Sequence, residues 1–98
     1  MATQHCTTSE AIFMMLHGCY IEIHGHPAFK RNLHFVIQES IDGRRRDIVG
    51  QIFPSQFKEM LDVGLLSLFE EEEKYGFTYK RYKLHLFTIT KNKERKKK

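Results

Sequence analysis

Two alternating segments around a turn place the strongest constraint on the fold of this sequence. Residues 33–39 and 46–53 each alternate apolar and polar side chains, and Asp42 and Gly43 lie between them. A period of two predicts half-buried strands, and Asp-Gly favours the tight turn of a hairpin. The sequence therefore predicts an antiparallel hairpin over residues 33–53. The predicted buried side carries Leu33, Phe35 and Ile37.

Shorter patterns precede this hairpin. Cys19, Ile21 and Ile23 alternate with polar neighbours, which predicts another strand over residues 19–24. Before it, Thr8 and Ser9 are suitable N-caps for a short helix that would end at Gly18. An extended segment over residues 12–23 is the alternative.

A helix is predicted after the hairpin, because Pro54 is tolerated in a first helical turn. A stripe of apolar or small residues then recurs at helical spacing, namely Phe57, Met60, Leu61, Gly64, Leu65 and Leu68. Gly64 and the four glutamates at 70–73 disfavour a long helix. A helix that stops near Val63, followed by a strand over residues 65–69, is therefore the alternative. The stripe favours the longer helix.

The last predicted strand covers residues 77–90 and completes the fold class. The order (α)-β-β-β-α-β predicts an α+β domain with a small, mainly antiparallel sheet of about four strands and a helix packed on one face. Residues 1–90 are expected to form this single domain. Residues 91–98 contain no apolar side chain, so we expect a disordered basic tail there.

Positive charge is concentrated near the end of the chain. Residues 74–98 contain ten Lys and Arg against one Glu, whereas the net charge of all 98 residues is only +4. Basic residues interleaved with aromatic rings are typical of surfaces that bind polyanions. We therefore predict a nucleic-acid-binding surface. Its candidate residues are Tyr79, Lys80, Arg81, Tyr82 and Lys83 of the last strand and Arg44, Arg45 and Arg46 of the hairpin tip.

The predicted function is that of a small, non-enzymatic accessory or regulatory protein. Its partner would be DNA or RNA, or a protein complex bound to nucleic acid. The alternative is a protein-interaction module or inhibitor that docks through a strand edge or through the acidic surface of residues 70–73. Pairing of those glutamates with the basic strand would weaken the nucleic-acid hypothesis. The two open edges of a small sheet would also allow a homodimer.

Enzymatic and metal-binding functions lack a supporting motif in this sequence. Cys19 near His17 or His34 has no catalytic signature, and the His24-x-His26 pair has no further ligand at zinc spacing. We expect no catalytic residue, no metal site and no cofactor. Two cysteines and no long apolar segment predict a cytoplasmic protein in a reducing compartment, without a membrane partner.

The segment Ile-Phe-Pro-Ser-Gln-Phe-Lys-Glu-Met-Leu, preceded by successive strands and a basic turn, resembles a known arrangement. It is similar to the strand-to-helix junction of the small single-strand DNA-binding transcription coactivators. The resemblance covers residues 19–63 and does not include the last strand. It implies a sheet-plus-helix dimer that holds single strands on a curved sheet.

Overall fold

A computed structural model describes residues 4–28 and 30–85 as two helices and one five-stranded sheet. Residues 91–98, predicted as a tail, and residues 86–90, predicted as the end of the last strand, lie outside the described residues. The elements follow the order α-β-β-β-α-β-β. They are α1 (Thr8–Leu16), β1 (Tyr20–Gly25), β2 (Leu33–Glu39), β3 (Arg46–Ile52), α2 (Pro54–Asp62), β4 (Leu66–Lys74) and β5 (Phe77–Leu84).

All strand pairs are antiparallel, and the spatial order is β3-β2-β1-β5-β4. The α+β class, the hairpin β2–β3 and the packing of a helix on the sheet confirm the predicted fold. The strand number is five rather than about four. Strand β1 is central, so its Ile21 is fully buried between β2 and β5.

Helix α1 begins where its sequence satisfies the first-turn backbone groups. The side chain of Thr7 accepts from the N–H of Glu10 at 3.1 Å, and Glu10 accepts from the N–H of Thr7 at 2.8 Å. This reciprocal capping box fixes the helix start. The predicted short helix is therefore confirmed, although its N-cap is Thr7 rather than Thr8 or Ser9. Gly18, with a φ of 99°, follows the helix end.

The preference for a long second helix was wrong. Helix α2 ends at Asp62, and Gly64 adopts a φ of 80°, which is left-handed backbone that favours glycine. The chain reverses there and enters β4, so residues 70–73 form part of a strand. Phe57 and Met60 of the predicted stripe lie on α2 and in the core, whereas Leu65 and Leu68 lie beyond the end of the helix.

Both helices cover the same face of the sheet. The core joins Ala11 and Met15 of α1 and Phe57 and Met60 of α2 to one side of the strands. The strand residues in this cluster are Ile21, Ile23, Val36, Ile52 and Leu66. Neither described helix is long and apolar enough to cross a membrane.

The assignment of the buried side of β2 was correct for Ile37, which is 2% exposed, but the core under the helices lies on the other side of the strand. Val36 lies opposite Ile21 in the register and belongs to the helix-covered core. Leu33, Phe35 and Ile37 therefore point to the opposite face, together with Glu22 of β1. We call this second side, which neither described helix covers, the open face.

The two outer strands differ in how their edges are covered. A short segment before α1 runs beside β3. The backbone N–H of Cys6 donates to the carbonyl of Gln51 at 2.8 Å, and the backbone N–H of Gln51 donates to the carbonyl of Gln4 at 3.1 Å. Strand β4 has no strand partner on its outer side within the described residues. Its backbone there is open to pairing.

Candidate nucleic-acid interface

The basic and aromatic residues of β5 divide between the two faces of the sheet. Arg81 lies opposite Glu22, on the open face, whereas Tyr82 lies opposite Ile21 on the helix-covered face. Because the side chains of a strand alternate, the other predicted residues divide in the same way. The open face carries Tyr79, Arg81 and Lys83, and the helix-covered face carries Lys80 and Tyr82. The predicted platform is therefore not one continuous surface.

The guanidinium group of Arg81 is buried and binds three carboxylates. Its Nε donates to Glu22 Oε2 at 2.5 Å, Nη1 donates to Glu70 Oε1 at 2.5 Å, and Nη2 donates to Glu72 Oε1 at 3.1 Å. The residue is 5% exposed. Arg81 thus ties β5 to β1 on one side and to β4 on the other, and a nucleic-acid phosphate would have to displace a carboxylate to reach it.

The charge states of this network follow from the contacts. Burial tends to raise the pKa of Glu22, but hydrogen bonds from His24, at 2.6 Å, and from Arg81 outweigh it and lower the pKa. Burial tends to lower the pKa of Arg81, and the carboxylates of Glu22, Glu72 and Glu70 raise it instead. Three carboxylates around one guanidinium make the centre of the open face negative, which disfavours phosphate binding there.

The two tyrosines of the predicted platform are held by other rings. The ring of Tyr82 contacts that of Phe57 edge-on, with centroids 4.9 Å apart, at the margin of the core. Tyr79 is half-buried and contacts His24 edge-on at 5.0 Å. The guanidinium carbon of Arg81 lies 5.8 Å from the Tyr79 centroid. Base stacking on Tyr82 would require the core to open.

The lysines of β5 make weaker contacts than Arg81. Lys80 Nζ lies 3.8 Å from Glu71 Oε2, and Lys83 Nζ lies 5.7 Å from the ring centroid of Phe69. An exposed ion pair such as that of Lys80 contributes at most about 1 kcal/mol. Lys83 is exposed, and its ammonium group pairs with no carboxylate of the described residues. Lys83 therefore remains available to an anion.

The three arginines of the hairpin tip project into solvent. The turn is fixed by Asp42, whose Oδ1 accepts from the hydroxyl of Ser40 at 2.6 Å and from the N–H of Arg44 at 3.1 Å. The side chains of Arg44 and Arg45 are 89% and 79% exposed. The nearest carboxylates are Asp42 at 4.0 Å from Arg44, Asp47 at 3.4 Å from Arg45 and Glu39 at 3.4 Å from Arg46. Such surface pairs exchange readily for a phosphate.

The hairpin tip and the end of β5 lie at the same end of the sheet. Ile21 is opposite both Val36 and Tyr82, so the residues that follow these two partners extend in the same direction. We call the group formed there by Arg44, Arg45, Arg46 and Lys83 the basic end. The chain continues from this end into residues 86–98, which contain six Lys and Arg and one Glu.

The folded part as a whole is not basic. Residues 4–85 contain ten Lys and Arg and eleven Asp and Glu, which gives a net charge of −1, whereas residues 86–98 carry +5. The acidic strand β4 lies directly beside the basic strand β5 and balances it, for example at Glu70 and Arg81. Accessible positive charge in the folded part is therefore local rather than spread along β5.

Two further exposed cations, Lys30 and Arg31, were not predicted as site residues. They follow β1 in the loop that leads to β2. Neither forms an ion pair with a carboxylate within residues 4–28 and 30–85, unlike Arg44, Lys80 or Arg81. The adjacent pair Lys30-Arg31 after the break at Pro27 was the available signal, but it identified no partner.

The remaining histidine and cysteine candidates are not brought together. His24 contacts Glu22, whereas His34 is buried on the opposite face. Burial raises the pKa of Cys19, whose thiol lies in the core. In the described part of the chain, no group of three or more His, Cys, Asp or Glu side chains is arranged to hold a metal ion.

Comparison with known proteins identifies no relative. No family model matches the chain, no curated protein matches it, and no solved structure matches its fold.

We predict that Glu22 links stability to acid pH. A pKa lowered in the folded state means that the unfolded state binds more protons near pH 4.5, the ordinary carboxyl value. The stabilisation from Glu22 should be complete above that pH and be lost as pH falls through the lower folded pKa. Urea unfolding across this range should show a smaller acid dependence for Glu22→Gln, which should also be less stable at neutral pH by about 1–3 kcal/mol.

Glu59→Gln is the matched control, because Glu59 is an exposed residue of α2. It should retain the stability and acid dependence of the unchanged protein. An identical acid dependence for Glu22→Gln and the unchanged protein would contradict the assigned role of Glu22.

Proposed function

We propose that this protein binds nucleic acid through the basic end and the segment that follows it, without catalysing a reaction. The observation that carries the proposal is the position of Arg44 and Arg45. Both are exposed at the end of the sheet from which the chain continues into a segment of charge +5. Together they supply a localised cationic surface on a folded part that is otherwise near neutral.

The proposed mode of binding is electrostatic. Arginine side chains contact phosphates with paired N–H donors, and each neutralised phosphate releases a counterion, so affinity falls as salt rises. Arg46 on β3 and Lys83 on β5, which are separated by β2 and β1, extend the surface across this end of the sheet. Arg81 and Tyr82 have structural roles in this proposal, because one is held by carboxylates and the other packs against the core.

The proposed partner is DNA or RNA, or a protein complex that contains it. Contacts to phosphates carry little sequence information, which fits an accessory or regulatory protein better than a sequence-specific reader. The proposed compartment is intracellular and reducing. Cys6 and Cys19 are both free thiols, which supports this location.

Fluorescence anisotropy with labelled single-stranded and duplex oligonucleotides tests the proposal. Removal of residues 91–98 deletes six cations, so the salt slope for a single strand should fall by up to about 4 in log–log units. Arg44→Ser combined with Arg45→Ser should lower the slope by a further amount, on the order of 1.4. Lys58→Ser is the control, because Lys58 lies on α2 and pairs with Asp62.

Two results would contradict the proposal. One is the absence of binding at low salt by the full chain. The other is a salt slope and affinity of the Arg44→Ser, Arg45→Ser variant equal to those of Lys58→Ser. Binding would then depend on residues 91–98 alone and not on the folded basic end.

The outer edge of β4 supports a second candidate function, the docking of an extended basic segment of a partner protein. Glu70 and Glu72 are engaged by Arg81, whereas Glu71 and Glu73 alternate with them toward the other face and are exposed. Glu71 makes only the 3.8 Å surface ion pair with Lys80. Backbone pairing would supply affinity, and these two carboxylates would favour basic side chains. A second copy fits less well, since antiparallel β4 strands would bring glutamates close together.

Calorimetry with a synthetic peptide of alternating Lys and Val tests this second candidate. Edge pairing predicts that a central Pro in the peptide abolishes binding, because Pro cannot donate to a strand ladder. The double variant Glu71→Lys, Glu73→Lys should bind more weakly, and Glu59→Lys should not. Equal binding of the peptides with and without Pro would show that no strand pairing occurs.

A further inference from the structure

A separate pocket lies at the opposite end of the sheet from the basic end. It opens where the start of β2 and the end of β3 meet the N-terminus of α2, and its volume is about 250 Å³. The side chains that matter for its chemistry are those of His5, Arg31, Asn32, His34 and Gln51, beside Phe53 and Pro54. We propose that this pocket binds a phosphate group.

The charge of the pocket favours an anion. Arg31 lines it, and its guanidinium group has no carboxylate partner within the described residues. None of the residues that line the pocket is acidic. Lys30 precedes Arg31 and likewise forms no ion pair with the described carboxylates. Arg31 and Lys30 differ in this respect from Arg44, Lys80 and Arg81. Each of those three forms an ion pair with an acidic side chain.

Helix α2 adds a positive pole to the pocket. It is nine residues long and begins at Pro54, directly at the pocket wall. The aligned peptide dipoles of a helix attract anions at its N-terminus. Direct backbone donors are few here, because Pro54 has no N–H, the N–H of Phe53 donates to Gln56 Oε1 at 2.7 Å, and the N–H of Gln56 donates to the carbonyl of Phe53 at 3.0 Å. The helix therefore contributes mainly through its dipole. No acidic residue caps this first turn.

His34 gives an independent indication of a missing partner. His34 is 6% exposed, and its Nδ1 atom has no hydrogen-bond partner within the described residues. A buried polar atom without a partner costs free energy, so it is uncommon without a functional reason. Burial lowers the pKa of His34, although a hydrogen bond with the backbone of Asn32 acts in the opposite direction. The lowered pKa keeps the ring neutral near pH 7. A neutral imidazole has one donor and one acceptor nitrogen, so Nδ1 can pair with a phosphate oxygen when it carries the proton and with the P–OH of a hydrogen phosphate when it does not.

The walls of the pocket are held in place by neighbouring contacts. His5 stacks on Phe53, with ring centroids 4.0 Å apart and planes 16° apart, and the ring of His34 lies 5.0 Å from that of Phe57. The volume equals roughly eight water molecules, which admits a phosphate group with some of its hydration. Arg31, Asn32 and the imidazole rings then supply donors from several sides.

The ligand chemistry is therefore a phosphate group, either as the free ion or as the terminal phosphate of an oligonucleotide. The pocket lies near Leu33 and Ile52, and β2 and β3 separate these residues from the hairpin tip. Binding here is independent of the proposed function at the basic end. Inorganic phosphate tests the pocket even if nucleic acid does not bind at all.

The experiment titrates the full chain with sodium phosphate and monitors binding in ¹H–¹⁵N spectra. A parallel titration with sodium chloride at the same ionic strength is the control. We expect shifts concentrated in residues 31–34 and 53–56 and in the ring nitrogens of His34. Arg31→Gln should weaken phosphate binding at least about tenfold, the loss expected for one charge-assisted contact. Arg45→Gln, an exposed arginine of the hairpin tip, should leave it unchanged.

Scattered shifts, or equal phosphate binding by Arg31→Gln and Arg45→Gln, would overturn the proposal. Because Arg31 is exposed, its replacement should not prevent folding, and the His34 ring signals in the unchanged protein provide a readout without any substitution. A second arm compares 5′-phosphorylated and 5′-hydroxyl oligonucleotides. Tighter, Arg31-dependent binding of the phosphorylated form identifies a terminal phosphate as the source, and equal binding identifies the free ion.

Discussion

Arg81 joins three of the five strands through one side chain. Its guanidinium group binds Glu22 on central β1 and Glu70 and Glu72 on outer β4. A charge this deeply buried is tolerated because its donors meet ionised acceptors, and removal of either side would leave an unpaired charge. Beside its ladder with β5, strand β4 is attached through Leu66 in the core, through Phe69 against the ring of Tyr20, and through this interaction.

The same interaction determines where the molecule can meet a polyanion. Because β4 neutralises β5, the positive potential that a linear count assigns to the last strand largely disappears in the folded part. Cations remain accessible at the two ends of the sheet. One end presents Arg44 and Arg45 beside the continuation of the chain, and the other presents Arg31 beside the N-terminus of α2.

Local signals in the sequence predicted local structure well. The hairpin over β2 and β3 followed from alternation and Asp-Gly, and the exposed arginines followed from their place in its turn. Strand β4 was predicted only as the alternative, over residues 65–69, and its acidic half was not predicted. Glutamates have low strand propensity, and the arginine that pairs with them is identified only once the strands are paired. The burial of Arg81 depends on Glu22, which is 59 residues away. The pocket is assembled from His5, Arg31, His34 and Pro54, and no spacing rule connects these residues.

The most direct test of this account is equilibrium urea unfolding of Arg81→Lys beside Arg45→Lys. Lysine keeps the charge but cannot present the planar set of donors that reaches Glu22, Glu70 and Glu72 together. The account predicts that Arg81→Lys lowers the free energy of unfolding by about 1.5–3 kcal/mol, whereas Arg45→Lys changes it by less than about 0.5 kcal/mol. Equal stability of the two variants, with weaker nucleic-acid binding by Arg81→Lys, would contradict the account and make Arg81 a contact residue.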